Sequence, residues 1–256
     1  MPLPPAAVGA PLEEVDTPAL ILDLDALEGN IARMARSAAA SGVRLRPHAK
    51  SHKCAEIARR QVAAGAVGVC CQKVSEAAAL VAGGVADVLV TNEIVGAAKT
   101  ARLARLAREA KVAVLADDAA NVAELDAAAR SEGVRLDLLV EIDVGANRCG
   151  VQPGEPALAL ARRIAGCRNL RFAGLHAYHG SAQHLRSASE RRAAIAAACD
   201  KARATKTLIE DAGIACETIT GAGTGTFLLE SASRVFNEIQ PGSYVFMDAD
   251  YHRNAW

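Results

Sequence analysis

Short apolar, β-branched runs alternate with amphipathic stretches along most of this chain. The runs lie at Ala19–Asp25, Val43–Lys50, Val67–Gln72 and Asp87–Glu93, then at Lys111–Asp118, Arg135–Val144, Arg171–His179 and Cys216–Gly223. Between them the pattern is helical. In Asn121–Arg130, for example, Val122, Leu125 and Ala129 share one face, with Glu124, Asp126 and Arg130 opposite. Gly42, Gly133, Gly166 and Gly213 stand where helix C-caps are expected.

Eight strand–helix units in about 220 residues predict an α/β fold, a (β/α)8 TIM-type barrel. An open doubly wound sheet has the same local period. The count of eight and the lack of an early glycine fingerprint favour closure. The barrel is expected over residues 1–236. A ninth β-rich run, Asn237–Phe246, reads as the lead-in to a truncated C-terminal β domain over residues 237–256.

Composition narrows the classes. Of 256 residues, 51% are hydrophobic and 23% charged, which is a globular composition. Lys+Arg and Asp+Glu both number 29 and aromatics are 3%, so neither a polyanion partner nor a base-stacking platform is expected. Arg102, Arg105 and Arg108 form a stripe at helical spacing, but Leu103 and Leu106 interleave with it, as on a solvated helix face. The first residues lack the cationic and apolar regions of a secretory signal. The weakly polar run Ala77–Ala86 is far short of the roughly 20 residues of a membrane span. Seven cysteines without a CxxC pair read as free thiols of a cytoplasmic protein.

In this fold class reactive groups gather at the carboxyl ends of the strands. Those ends carry His48, Lys50, Gln72, Asn92 and Glu93, then Glu141, Asp143 and Arg148, and finally His176, Tyr178 and His179. The amino ends read as bland by comparison. Lys50 ends the run RLRPHAK, where a desolvated lysine becomes an amine nucleophile toward a carbonyl. A solvated strand-end lysine is the plain alternative, and Lys53 is the rival amine. After the eighth run comes GAGTGTF. There Gly221, Gly223 and Gly225 let backbone approach an anion, Thr224 and Thr226 add hydroxyls, and the following helix would offer free N–H groups. A tight turn explains the same glycines. An amine on one strand and a phosphate cup after the last describe an aldehyde cofactor bearing a phosphate.

Longer segments carry a resemblance. RPHAKSHK (Arg46–Lys53), CCQKVSEA (Cys70–Ala77), EIDVGANRCGV (Glu141–Val151), AYHGSAQH (Ala177–His184), GAGTGTF and QPGSYVFMD (Gln240–Asp248) resemble the D-threonine aldolase and 3-hydroxy-D-aspartate aldolase group. Eukaryotic-type D-serine dehydratases belong with it, and its barrel is similar to the alanine racemase N-terminal domain. The resemblance implies a pyridoxal 5'-phosphate-dependent lyase acting on D-3-hydroxyamino acids, with Lys50 as the Schiff-base lysine. It implies cofactor contacts for Gln72, Arg148, Tyr178 and His179, with Tyr178 also catalytic. Gly242, Ser243 and Tyr244 would complete the phosphate cup of Gly221, Gly223, Thr224, Gly225 and Thr226. It also implies a homodimer in full-length form, and a divalent metal, manganese or zinc, held by a histidine and a second ligand in a later β domain. The chain ends before such a domain and His252 stands without a partner, so cleavage by these residues alone is expected to be slow. A dehydratase, a non-catalytic cofactor carrier and a racemase-like isomerase remain as alternatives.

Overall fold

Eight parallel strands form one sheet in a computed structural model that describes residues 4–255. They are β1 (Arg44–Leu45), β2 (Val69–Cys71), β3 (Asp87–Glu93), β4 (Lys111–Ala116), β5 (Leu136–Glu141), β6 (Leu170–His176), β7 (Thr218–Gly221) and β8 (Glu238–Ile239). Helices α1 (Leu24–Ser41), α2 (Ala55–Ala63), α3 (Val74–Ala82) and α4 (Ala97–Leu106) alternate with the first strands. Then come α5 (Ala119–Glu132), α6 (Glu155–Ala165), α7 (Ala188–Asp211) and α8 (Phe227–Ala232).

From β2 each strand pairs with the next in sequence up to β8, which pairs with β1. The gap between β1 and β2 is bridged just beyond the strand ends. Val67 N–H donates to Leu45 O at 2.9 Å and Cys70 N–H to Pro47 O at 2.8 Å, beside a His48–Cys70 bridge. The ring is therefore closed, as expected for the (β/α)8 class.

The period of two along the strands sets the layers. On β3, Leu89 points inward to join Cys70, Leu115, Leu139 and Ala173 in the barrel interior. Its neighbours Val88 and Val90 face the helices and belong to the large core between sheet and helix ring. The face expected on α5 is the buried one, with Val122, Leu125 and Ala129 all at 0% exposure. Asp118 caps that helix by accepting from the Ala120 and Asn121 N–H groups at 2.8 and 2.9 Å. Replacing Asp118 with alanine should cost about 1 kcal/mol of stability in a urea titration. A change within experimental error would show that the cap contributes nothing.

Two expected strands are corrected. Ala19–Asp25 is not a strand: Leu20 and Ile21 are exposed, and Asp23 already caps α1 by accepting the Ala26 N–H at 2.9 Å. The eighth place goes to Glu238–Ile239, within the run read as the start of another domain, because it hydrogen-bonds to both β7 and β1. Residues 238–239 thus belong to the barrel sheet. Local apolar alternation favours extended backbone, but only a neighbour with free N–H and C=O groups makes it a strand.

The amino ends of the strands are not bland. A cavity of about 360 Å³ there is ringed by charged side chains. Arg46, 7% exposed, bonds Asp87 at 2.6 Å and Glu238 at 3.1 Å, and Arg171 bonds Asp137 at 2.6 Å and Glu217 at 2.8 Å. Lys111 bonds the other Asp87 oxygen at 3.0 Å. These residues occupy separate strands, so no local pattern reveals the ring.

Candidate active site

At the opposite, carboxyl end, a cavity of about 250 Å³ opens to solvent. Lys50 reaches it from a single 3-10 turn, Ala49–Ser51, immediately beyond β1. His48 anchors that turn. Its Nδ1 accepts the Lys50 backbone N–H at 3.3 Å, and its Nε2 lies 2.8 Å from Thr91 Oγ1. Thr91 donates to Cys71 O at 3.2 Å, so His48 Nε2 must be the donor between the two. The ring is the neutral Nε2–H tautomer. Burial, then the nearby Lys50 charge, holds its pKa well below the ordinary histidine value. For Lys50, desolvation by the cavity walls and then the Arg148 charge lower the pKa. Lys53, by contrast, pairs with Glu76 at 3.5 Å on the outer side and does not line the cavity.

A charged cluster forms the floor. His176, at the end of β6, faces Glu141 through Nδ1 and meets Gln240 Oε1 through Nε2 at 3.1 Å. The Gln240 amide nitrogen donates to Thr220 Oγ1 at 2.7 Å, which leaves Oε1 as acceptor and makes His176 Nε2 a donor. Burial works against an imidazolium there. The Glu141 carboxylate and the two hydrogen bonds outweigh it and raise the His176 pKa. Arg148 leans on the same carboxylate, Nη2 to Oε1 3.5 Å, with its guanidinium carbon 5.5 Å from the Tyr178 ring centroid. Lys50 Nζ lies 6.0 Å from that centroid, so both cations lie near the Tyr178 ring. Burial, then the neighbouring Tyr251, pushes the Tyr178 phenol up to about 12.

The glycine loop divides in two. Gly223 and Thr224 line the cavity, joined there by Gly242 and Ser243. Thr224 Oγ1 accepts the Tyr244 N–H at 3.0 Å, which leaves its hydroxyl hydrogen free to donate. Backbone approach is tight here: a Cβ on Gly242 would sit 2.9 Å from His48 O, and one on Gly223 2.5 Å from Gln183 Oε1. Gly225 and Thr226 turn the other way. The expectation of free N–H groups at the next helix is corrected, since α8 has only 6 residues and the Thr226 and Phe227 N–H groups already bond Gly223 O.

The cavity thus brings together Lys50, Gln72, Arg148, Tyr178 and the four cup residues Gly223, Thr224, Gly242 and Ser243. Other expected contacts do not line it. Gly221 is a packing position, where a Cβ would lie 2.8 Å from Ala177 O. The Tyr244 hydroxyl accepts from Gln61 Nε2 at 2.9 Å, tying the loop after β8 to α2. His179 packs over Gly145, in the loop after β5. Residues not singled out for the site also line it, among them Thr91, His184, Gln240, Asp248 and Tyr251. His184 stacks on Tyr251 and holds Asp250 at 2.5 Å. For Asp248 and Tyr251, far along the chain with no reactive spacing, nothing local signals a place at the mouth.

Glu93, Glu141 and Cys149 bring ligand atoms within 4.8 Å of one another, the one such group among the described residues. It does not suit a divalent cation. Glu141 is committed to His176, and the Arg148 guanidinium lies against it. No helix among the described residues is long and apolar enough to cross a membrane.

A closed parallel barrel with a lysine and a glycine-walled cup facing across its carboxyl-end mouth defines a class of cofactor-binding barrel. The chain belongs to the family of the alanine racemase N-terminal domain, which it matches over residues 22–250. It is 50% identical over 253 residues to a D-threonine aldolase of Arthrobacter sp., covering 99% of this chain and 67% of that protein. It is 48% identical over 251 residues to a 3-hydroxy-D-aspartate aldolase of Paracoccus denitrificans (strain Pd 1222), covering 97% and 65%. The crystal structure of a D-threonine aldolase from Filomicrobium marinum superposes with a TM-score of 0.98 at 53% identity, over 99% of this chain and 69% of that one. The chain therefore spans about two thirds of the length of the curated relatives it matches.

Proposed function

We propose that the chain is the cofactor-binding barrel of a pyridoxal-phosphate-dependent lyase. It would cleave D-3-hydroxyamino acids, such as D-threonine or 3-hydroxy-D-aspartate, to glycine and an aldehyde. The observation that carries this reading is the Lys50 amine facing the Gly223–Thr224 and Gly242–Ser243 walls across one cavity. The aldolase names of relatives at 48–50% identity favour the aldolase. The side-chain-free backbone of Gly223 and Gly242 on the cavity wall and the free Thr224 hydroxyl suit a phosphate, and the Lys50 amine with its lowered pKa suits an aldehyde. When bound, the cofactor supplies an electron sink for the pair released at Cα.

The protein's own groups do the rest. Lys50 is exposed as a whole residue, but its amine end lines the cavity. Partial desolvation there, and then the Arg148 charge, let it lose its proton at a lower pH than an ordinary lysine. His48, locked as a neutral tautomer, holds the turn that aims it. Arg148 would hold a fixed cation against the cofactor and so help to keep its electron sink, and Tyr178, near both Arg148 and Lys50, closes one wall. The seven unpaired thiols suit a reducing, cytoplasmic setting. No step is assigned to a metal.

Product analysis tests the reading even at slow turnover. The cofactor-loaded protein should release glycine and aldehyde in equal amounts from the D isomer of either substrate, and neither from the L isomer. Ammonia with a 2-oxo acid would move the assignment to a dehydratase. Failure to process any D-3-hydroxyamino acid would remove the substrate class.

A further inference from the structure

Glu230 is a carboxyl that this chemistry leaves unused. It lies on α8 behind the glycine loop, with 2% of its surface exposed. Three hydrogen bonds connect the loop to it, all running one way. The Gly225 N–H donates to Gln183 Oε1 at 2.9 Å. The other end of that amide must then donate, and Nε2 does so to Thr226 Oγ1 at 2.8 Å. Having accepted there, the Thr226 hydroxyl donates to Glu230 Oε1 at 2.7 Å.

The middle of this chain cannot swing away. Gln183 is 0% exposed, its Nε2 also reaches His179 O at 3.3 Å, and its carbonyl accepts from Asn254 Nδ2 at 3.0 Å. At the far end, Glu230 Oε2 is buried without a hydrogen-bond partner among the described residues. The titratable groups that feel the Glu230 charge are Cys199 on α7 and Tyr178 beyond β6. Arg191 and Arg192, also on α7, line a neighbouring cavity with Gly225 and Thr226. The Arg191 guanidinium is held by the Leu185, Arg186 and Ala255 carbonyls, and no ion pair to Glu230 forms among the described residues. Burial therefore pushes this carboxyl up to about 7, against the Thr226 hydrogen bond that pulls it down.

We propose that Glu230 is the positioning residue of the phosphate cup. As terminal acceptor it completes the chain that the Gly225 N–H begins, holding Gly225 and Thr226 inward and leaving Gly223 and Thr224 to face the anion. Its ionisation in turn weakens the hold on a phosphate dianion. Protonated on Oε2, Glu230 still accepts from Thr226 through Oε1, so the chain survives and the wall is uncharged. Ionised, it places an uncompensated negative charge behind that wall, where low dielectric strengthens repulsion of a second one. This rests on reading the Gly223–Thr224 wall as the phosphate site, so the test separates the two.

The measurement is the ratio of dissociation constants for pyridoxal and pyridoxal 5'-phosphate, taken against pH. Both aldehydes react with the same amine, so its titration cancels and the phosphate contribution remains. The phosphate monoester has its second pKa near 6 and is a dianion above about pH 7. Between about pH 7 and about pH 8.5 the ratio for the natural protein should fall by roughly fourfold, on the way to the tenfold limit of one unit of coupling. Glu230→Gln keeps an acceptor for Thr226 but cannot ionise, and its ratio should stay high and flat. Glu230→Ala removes the terminal acceptor and should lower the ratio at every pH. A merely structural residue would change the melting temperature of both variants and leave the pH profile of the ratio as it was. If Glu230→Ala does not fold, Glu230→Gln decides. A natural pH profile in Glu230→Gln, or an unchanged ratio in folded Glu230→Ala, overturns the proposal alone. A ratio near one in the natural protein overturns the phosphate reading and takes the proposal with it.

Discussion

Replacing Lys50 with alanine is expected to abolish borohydride-trappable attachment of pyridoxal phosphate and to lower turnover on the order of a thousandfold. The environment makes this amine, rather than its neighbour, the reactive one. Lys50 lines the cavity, where partial desolvation and then the Arg148 charge bring its neutral form to lower pH than an ordinary lysine's. Lys53 pairs with Glu76 outside, with 64% of its side chain exposed, and Lys53→Ala should leave attachment intact. The sign of the pH effect follows. A depressed lysine pKa moves the rise in attachment rate to lower pH, and Arg148→Leu, by removing the repelling cation, should move it back up. Peptide mapping of the reduced adduct checks the first claim, and attachment kinetics against pH check the second. An adduct on Lys53, or a profile that shifts down in Arg148→Leu, would sink the assignment.

A second large effect is expected at the other end of the barrel. Glu238→Ala should destabilise the protein by about 3 kcal/mol, because it strips a buried arginine of one of its two carboxylates. Arg46 is 7% exposed and Glu238 3%, and their atoms meet at 3.1 Å. Asp87 remains as a partner at 2.6 Å, which argues for the low end of the range for breaking buried pairs. Glu238 also lies on β8, the strand that closes the ring, so its loss is felt where β8 meets both neighbours. In a domain this size the change corresponds to a fall in melting temperature of roughly 10 °C. Cofactor binding by the folded fraction should be unaltered, since the cavity is at the opposite strand ends. A urea titration beside a cofactor titration separates the two properties. A loss under about 1 kcal/mol would mean that Asp87 alone compensates Arg46.

By itself the sequence determined the class of fold and pointed to Lys50, Gly223 and Thr224, which the structure places in one cavity. These are local properties. Helical and extended periods repeat over a few residues, and RPHAKSHK and GAGTGTF are contiguous. Tertiary structure decided what depends on partners distant in sequence. Leu20–Leu22 and Glu238–Ile239 both lie in runs read as extended, yet only the second meets two strands whose N–H and C=O groups it can satisfy. The charged ring under the barrel assembles Arg46, Asp87, Arg171 and Glu238 from separate strands, each ordinary in its own run. Within GAGTGTF every residue type suited an anion. Gln183, 40 residues before Gly223, turns Gly225 and Thr226 away from the cavity and leaves Gly223 and Thr224 facing it. The direction of a hydrogen bond depends on what the partner's other atoms are doing, and that is settled only when the chain has folded.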